Sequence, residues 1–299
     1  MSRRGLLLFM ALSVIWGLPY LFIRVAVEHL NPGTLVCLRT AGATAILLPL
    51  ALARGQLRPV LAYWRPVLLF SVVEVMVPWL LLSDAERHLS SSLAGLLVAA
   101  VPLVGAVLAR FSRHGDPMNR RQLGGLLLGV LGVACLVGLD FGELNLLAIA
   151  EMAVVSLGYA AGPLILARSL SQLPGLGVIA GAMTISTLGY LPFLILAPPG
   201  RLPGSAVASV VVLAVVCTAL AFVVFFELVA AVGPTRCTVI TYINPAVAVA
   251  LGVIVLSEPL TTGILVGFPL ILLGSVLAAR RSRPREQQAG PASSTVVAT

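Results

Sequence analysis

Arg39 and Glu74 are ionisable residues set inside long apolar runs, 33–53 and 66–86. At a rise of about 1.5 Å per residue, Arg39 lies about 9 Å into its run, and Glu74 falls near the middle of its own. A charge at such depth costs about 2.5–3.5 kcal/mol on insertion scales, so each needs a polar cavity or a partner. Arg39 is fitted to meet a substrate carboxylate or to pair with Glu74. Glu74 is fitted to be a protonatable coupling site. The competing expectation is a static structural ion pair.

Other residues of the same chemical range fall at helical spacing. Trp16, Tyr20 and Arg24 follow one another at intervals of four and share one stripe of a helix. Glu151 and Tyr159 share a stripe of a later run, and Trp79 follows Pro78. Tyr242 and Asn244 lie just before Pro245, pointing in different directions. Trp16, Tyr20, Trp79, Glu151, Tyr159, Tyr242 and Asn244, with Arg39 and Glu74, form the expected substrate-binding set. Trp and Tyr also serve as anchors at helix ends, and Arg24 near a span end can snorkel to the interface. Asp84, Glu86, Glu227 and Glu258 lie near run ends and read as solvated or capping residues.

The elements that must position these groups follow from composition. Of 299 residues, 59% are hydrophobic and 10% charged, and the mean hydropathy is +1.07. A water-soluble domain needs far more polar surface. Continuous apolar runs of about 20 residues recur, which reads as membrane-spanning helices rather than the alternating strands of a barrel. The first run, in RRGLLLFMALSVIWGLPYLFIRVA, leads directly into another apolar run and reads as a span rather than a cleaved signal. Spans are expected at 6–27, 33–53, 66–86, 91–111, 122–139, 146–167, 176–197, 207–230, 236–256 and 263–280. The polar, small-residue stretch 282–299 reads as a disordered tail.

The net charge is +8, and all 19 basic residues are Arg. They occupy short loops and the C-terminus rather than a stripe, so nucleic acid is not an expected partner. With the N-terminus inside, 15 fall on the inner side, 2 on the outer side, and Arg24 and Arg39 within spans. That bias places both termini in the cytoplasm of a cell membrane, and Arg used without Lys fits a GC-rich bacterial genome. Cys37, Cys135, Cys217 and Cys237 lie in apolar runs without metal-ligand spacing. No cofactor or metal is expected. The lipid bilayer, a small-molecule substrate and possible coupling protons are the expected partners, with oligomeric state left open.

The two halves echo each other. An offset of 143 residues carries Pro102 onto Pro245 and Gly124 onto Gly267, together with several Val and Leu matches. Five spans per half is odd, so the second half enters the membrane inverted, a plan of secondary transporters with the site at the repeat interface. Pro102 and Pro245 break equivalent spans and free the carbonyls of Val98 and Thr241. Asn244 supplies an amide for backbone or substrate. The first half has Val101 at the corresponding position. The pairs Gly125/Gly129, Gly158/Gly162 and Gly263/Gly267 place small residues one turn apart for close helix packing.

WGLPYLFIRVAVEHLNPGTLVCLRTAGA, SSSLAGLLVAAVPL, RRQLGGLLLGVLGVACLV and VGPTRCTVITYINPAVAVALGVIVLSEPLTTGILVGFPLILLGSVLA resemble the EamA family of the drug/metabolite transporter superfamily across residues 6–280. The resemblance implies an all-α membrane protein of ten helices in two inverted repeats, at 1–140 and 141–281. It also implies alternating-access movement, commonly outward, of small metabolites such as amino acids. A membrane-embedded enzyme and a passive channel or structural subunit are the alternatives. The first would need a nucleophile, acid/base pair or metal cluster, and counterflow separates a carrier from the second.

Overall fold

The computed structural model describes residues 2–110, 119–138, 145–233, 237 and 240–279. The expected tail at 282–299 and several of the inner-side arginines lie outside them. The described residues are helical, with no strand among them. Among the described residues, eight helices are long and apolar enough to cross a membrane. They are α1 (Arg3–Ala26), α2 (Pro32–Ala53), α3 (Trp64–Ala85), α4 (Ser91–Leu108), α5 (Arg120–Gly138), α6 (Leu146–Leu170), α7 (Gly175–Leu196) and α8 (Gly204–Val232). Two further apolar helices, α9 (Ile240–Leu256) and α10 (Thr262–Ala278), are shorter. The expectation of ten spans thus meets eight helices of spanning length.

Local chemistry sets the ends. Asn31 caps α2, its side chain accepting from Gly33 N, with Pro32 at the first helical position. Ser90 caps α4 through Leu93 N, and Asn145 caps α6 through Ala148 N. At the far end of α9, Ser257 takes the left-handed conformation at φ 56°. The next residue's N–H, that of Glu258, donates to Gly252 O at 3.0 Å, which closes the helix.

Helix boundaries recur at the offset of 143. It carries the 22 residues Pro32–Ala53 onto the 22 residues Gly175–Leu196. It also carries the π-helical turn Ser71–Met76 of α3 into the π-helical turn Val212–Leu220 of α8. α2 packs along α7, and Thr44 meets Thr187, its own offset mate, hydroxyl to hydroxyl at 3.3 Å.

The two prolines act differently. Before Pro102, α4 is interrupted at Ala99–Ala100. At the interruption Ala100 N donates to Leu97 O at 3.1 Å. Ser156 of α6 donates to Leu97 O at 3.5 Å, and Ser275 of α10 to Ala99 O at 3.3 Å. Side chains of neighbouring helices thus re-satisfy backbone groups that lipid cannot. Pro245 stays inside a continuous α9. A second interruption falls at Trp16–Gly17 in α1. There the glycine lies against Val247 of α9, where a Cβ would collide.

The α5–α10 pair is the most extensive helix contact among the described residues. Gly125 abuts Ala278 and Gly274, Gly132 abuts Ile271 and Gly267, and Gly274 abuts Gly125 and Gly129. Backbone meets backbone along this seam, as small residues in membrane helices allow. Gly129 itself takes the side chain of Leu103 from α4.

A side chain at Gly274 would have to push two backbones apart. Gly274→Leu should lower the melting temperature in detergent, with a cost at or above the roughly 1–3 kcal/mol of ordinary overpacking. Gly124→Ala is the matched control, since a Cβ there meets nothing within 4 Å. It should be neutral or stabilising by up to about 1 kcal/mol. Equal melting temperatures for the two variants would contradict the seam.

Candidate functional site

Arg39 is only 5% exposed. Two contacts hold its guanidinium. Nε donates to Thr218 Oγ1 at 3.0 Å, and the group stacks over the Trp79 ring at 3.6 Å from the centroid. A desolvated contact of that second kind is worth about 2 kcal/mol. The π-helical turn of α8 supplies the first. Thr218 donates its hydroxyl to Leu213 O, five residues back, at 2.7 Å, which leaves its lone pair toward Arg39. Tyr20, Tyr159, Glu86 and Cys217 lie around the guanidinium. Trp79 and Tyr159 lie side by side. The structure therefore brings Arg39, Trp79, Tyr20 and Tyr159 of the expected set together, from α2, α3, α1 and α6.

Glu74 lies apart from Arg39. It sits in the π-helical turn of α3, which α7 grips through its hydroxyls. Ser71 Oγ donates to Ala182 O at 2.9 Å and meets Ser186 Oγ at 2.9 Å, while Tyr190 Oη donates to Met76 O at 2.8 Å. The turn lays Glu74 against Gly162 of α6, where any Cβ would strike its carboxylate. Glu74 Oε2 is buried and has no hydrogen-bond partner among the described residues. Tyr159 is in electrostatic contact with it. The expected Arg39–Glu74 ion pair is not formed. The ion pairs among the described residues are Arg4–Glu227 and Arg87–Asp84. Arg39 is held by Thr218 and Trp79, and the widened turn directs Glu74 to α6.

Glu86 corrects the reading of span-end acids as solvated or capping. It follows the last residue of α3 and is 0% exposed, and neither carboxylate oxygen has a hydrogen-bond partner among the described residues. Arg24, rather than snorkelling, donates from Nη1 to the backbone carbonyl of Glu86 at 3.0 Å. The signal for its burial was the connection to α4, only residues 86–90, which keeps the turn folded against α1. Glu258 does act as a cap. It accepts from Ser91 N at 2.8 Å, Ser92 N at 3.0 Å and Ser92 Oγ at 2.5 Å, and so holds its carboxylate on the N-terminus of α4.

The remaining expected residues sit elsewhere. Trp16, at the interruption of α1, packs on Phe222 and Phe225 of α8, with ring centroids at 6.2 and 5.3 Å. Glu151 lies beside the Asp84 carboxyl near one end of α6. Tyr242 is half-buried on α9. Asn244, with its amide turned so that the nitrogen faces acceptors, donates to Ser13 O and Ile240 O, both at 3.0 Å, and so ties α9 to α1. Pro245 is buried and Pro102 half-buried.

Comparison with known proteins places this arrangement in a family. The model of the EamA-like transporter family matches residues 3–138 and 146–280. The uncharacterized transporter YvbV of Bacillus subtilis is 23% identical over 296 residues, covering 96% of this chain and 95% of that one. The uncharacterized inner membrane transporter YedA of Escherichia coli K12 is 28% identical over 257 residues, 81% of this chain and 79% of its own. The probable terminal-alkyne amino-acid exporter of Streptantibioticus cattleyicolor is 28% identical over 283 residues, 92% and 93% of the two chains. A solved crystal structure with 21% identity shares the fold at a TM-score of 0.66, over 94% of this chain and 100% of its own. With both halves matched by the family model, the chain belongs to the EamA-like transporter family.

Proposed function

We propose that the protein is a secondary transporter that exports small, carboxylate-bearing metabolites such as amino acids across the bacterial cytoplasmic membrane by alternating access. The observation that carries this reading is Arg39. A guanidinium this deep, stacked on an aromatic ring, presents its remaining donors to a planar anion. Tyr20, Tyr159 and Trp79 wall the same place. The relative named as a probable amino-acid exporter supports the substrate class. Trp16, Glu151, Tyr242 and Asn244 shape the path around it, Pro102 follows the break in α4, and Pro245 lies within a continuous α9.

In this reading the chain has ten spans in two inverted five-helix repeats, at 1–140 and 141–281, with both termini cytoplasmic. Two successive family matches and the recurrence of helix boundaries at one offset support the repeat. The Arg distribution supports the orientation. An odd number of spans per repeat makes the inversion obligatory. Glu74, half-buried beside Tyr159 with its buried Oε2 unpartnered among the described residues, is the proton-coupling group.

Three measurements test these points. A metabolite-panel flux assay in proteoliposomes, with and without a proton gradient, should find gradient-dependent counterflow of a carboxylate. Arg39→Gln and Arg39→Lys should each cut that flux at least about tenfold, since Lys keeps the charge but not the planar, stacked fork. Wild-type flux in Arg39→Gln would contradict the central role. Glu74→Gln should retain counterflow but lose its response to the gradient, and an unchanged pH dependence would remove Glu74 from coupling. Tags at Arg3 and Arg285 should report the cytoplasm and a tag at Gly142 the periplasm. Termini on opposite sides would defeat the inverted repeat.

A further inference from the structure

The acidic groups around the end of α3 are accounted for with one exception. Asp84 meets Arg87 at 3.1 Å and the Glu151 carboxyl. Glu258 spends its oxygens on the start of α4. Glu86 alone among them is wholly buried with both carboxylate oxygens unpartnered among the described residues. The cations near it are engaged elsewhere. Arg24 donates to its backbone carbonyl, while Arg39 gives Nε to Thr218 and its face to Trp79. The titratable groups facing Glu86 are Glu258 from the α9–α10 connection, Arg24 and Tyr20 from α1, Arg39 from α2 and Tyr159 from α6.

A buried carboxylate without a partner costs several kcal/mol and persists in membrane proteins where function needs it. Here it stands in the same cluster as Arg39, with the opposite sign. The place thus offers one group for an anion and one for a cation. We infer that Glu86 is a specificity-determining residue that receives the ammonium end of a zwitterionic substrate whose carboxylate faces Arg39. The inference rests on the transporter reading above and extends it to a residue and a substrate charge pattern. Glu86 selects between molecules that carry an ammonium and those that lack one, whereas Arg39 is needed for both.

The test uses the full chain in proteoliposomes and a panel of α-amino acids, each paired with the matched carboxylic acid lacking the amino group. Wild type should move the amino acid at least about tenfold faster than its partner. Glu86→Gln should abolish that preference, through a fall in amino-acid flux with the des-amino flux kept or raised. Glu86→Asp should keep part of it, and Arg39→Gln should lose both fluxes. Glu86→Gln replaces a buried, unpartnered carboxyl with an amide of the same shape, so its melting temperature in detergent should equal or exceed that of wild type. The rise in melting temperature that amino acid induces in wild type should be absent from it. An unaltered preference in Glu86→Gln, an equal loss of both fluxes, or a change confined to the proton-gradient response would overturn the inference. Wild type that moves both members equally would overturn it and leave the Arg39 reading standing. Wild type that moves no member of any pair would overturn both.

Discussion

The structure depends on keeping one guanidinium charged inside a helix bundle that has little polar surface. Water is replaced at Arg39 by a hydroxyl and an aromatic face, each delivered by a different helix. Neither is available from regular α-helix alone. The hydroxyl lies in a π-helical turn, and Trp79 lies just beyond another. Such turns are uncommon and cluster at functional sites. Here they rotate the face of a helix partway along its length, so that one helix can be apolar at its ends and polar at its centre.

Each departure from regular helix brings backbone groups that need partners, and the partners come from neighbouring helices. Ser156 and Ser275 meet the carbonyls at the interruption of α4. Asn244 meets Ser13 O beside the interruption of α1, and Tyr190 meets Met76 O at the end of the α3 turn. Scattered Ser, Asn and Tyr residues in apolar runs thus have a common physical role. They act as replacements for solvent.

The helical membrane class was legible because run length and continuity depend on composition, which burial does not alter. So was much of the central cluster, because Arg39 lies too deep to face lipid and Tyr20, Trp79 and Tyr159 carry polar atoms inside apolar runs. The partnering of Glu74 was not legible. Its direction depends on a π-helical turn, and spacing rules assume 3.6 residues per turn. Glu86 was missed for a different reason. Its run-end position says how far along the helix it lies, not how deep within the bundle, and depth there is set by α1 folding over a short connection. The asymmetry between Pro102 and Pro245 was equally hidden, since proline marks a weakened place in a helix and neighbours decide whether it parts.

The glycine seam between α5 and α10 has a mechanical consequence. Contacts made through side chains can shear by changing rotamers, whereas Gly125, Gly132, Gly267 and Gly274 bring main chain against main chain. That joint has almost no compliance. Strain imposed on the bundle must then be taken up where the helices are already parted, in α1 at Trp16–Gly17 and in α4 at Ala99–Ala100. Stiffness is therefore distributed unevenly, with α5 and α10 as fulcrum and the two interrupted helices as the members that flex.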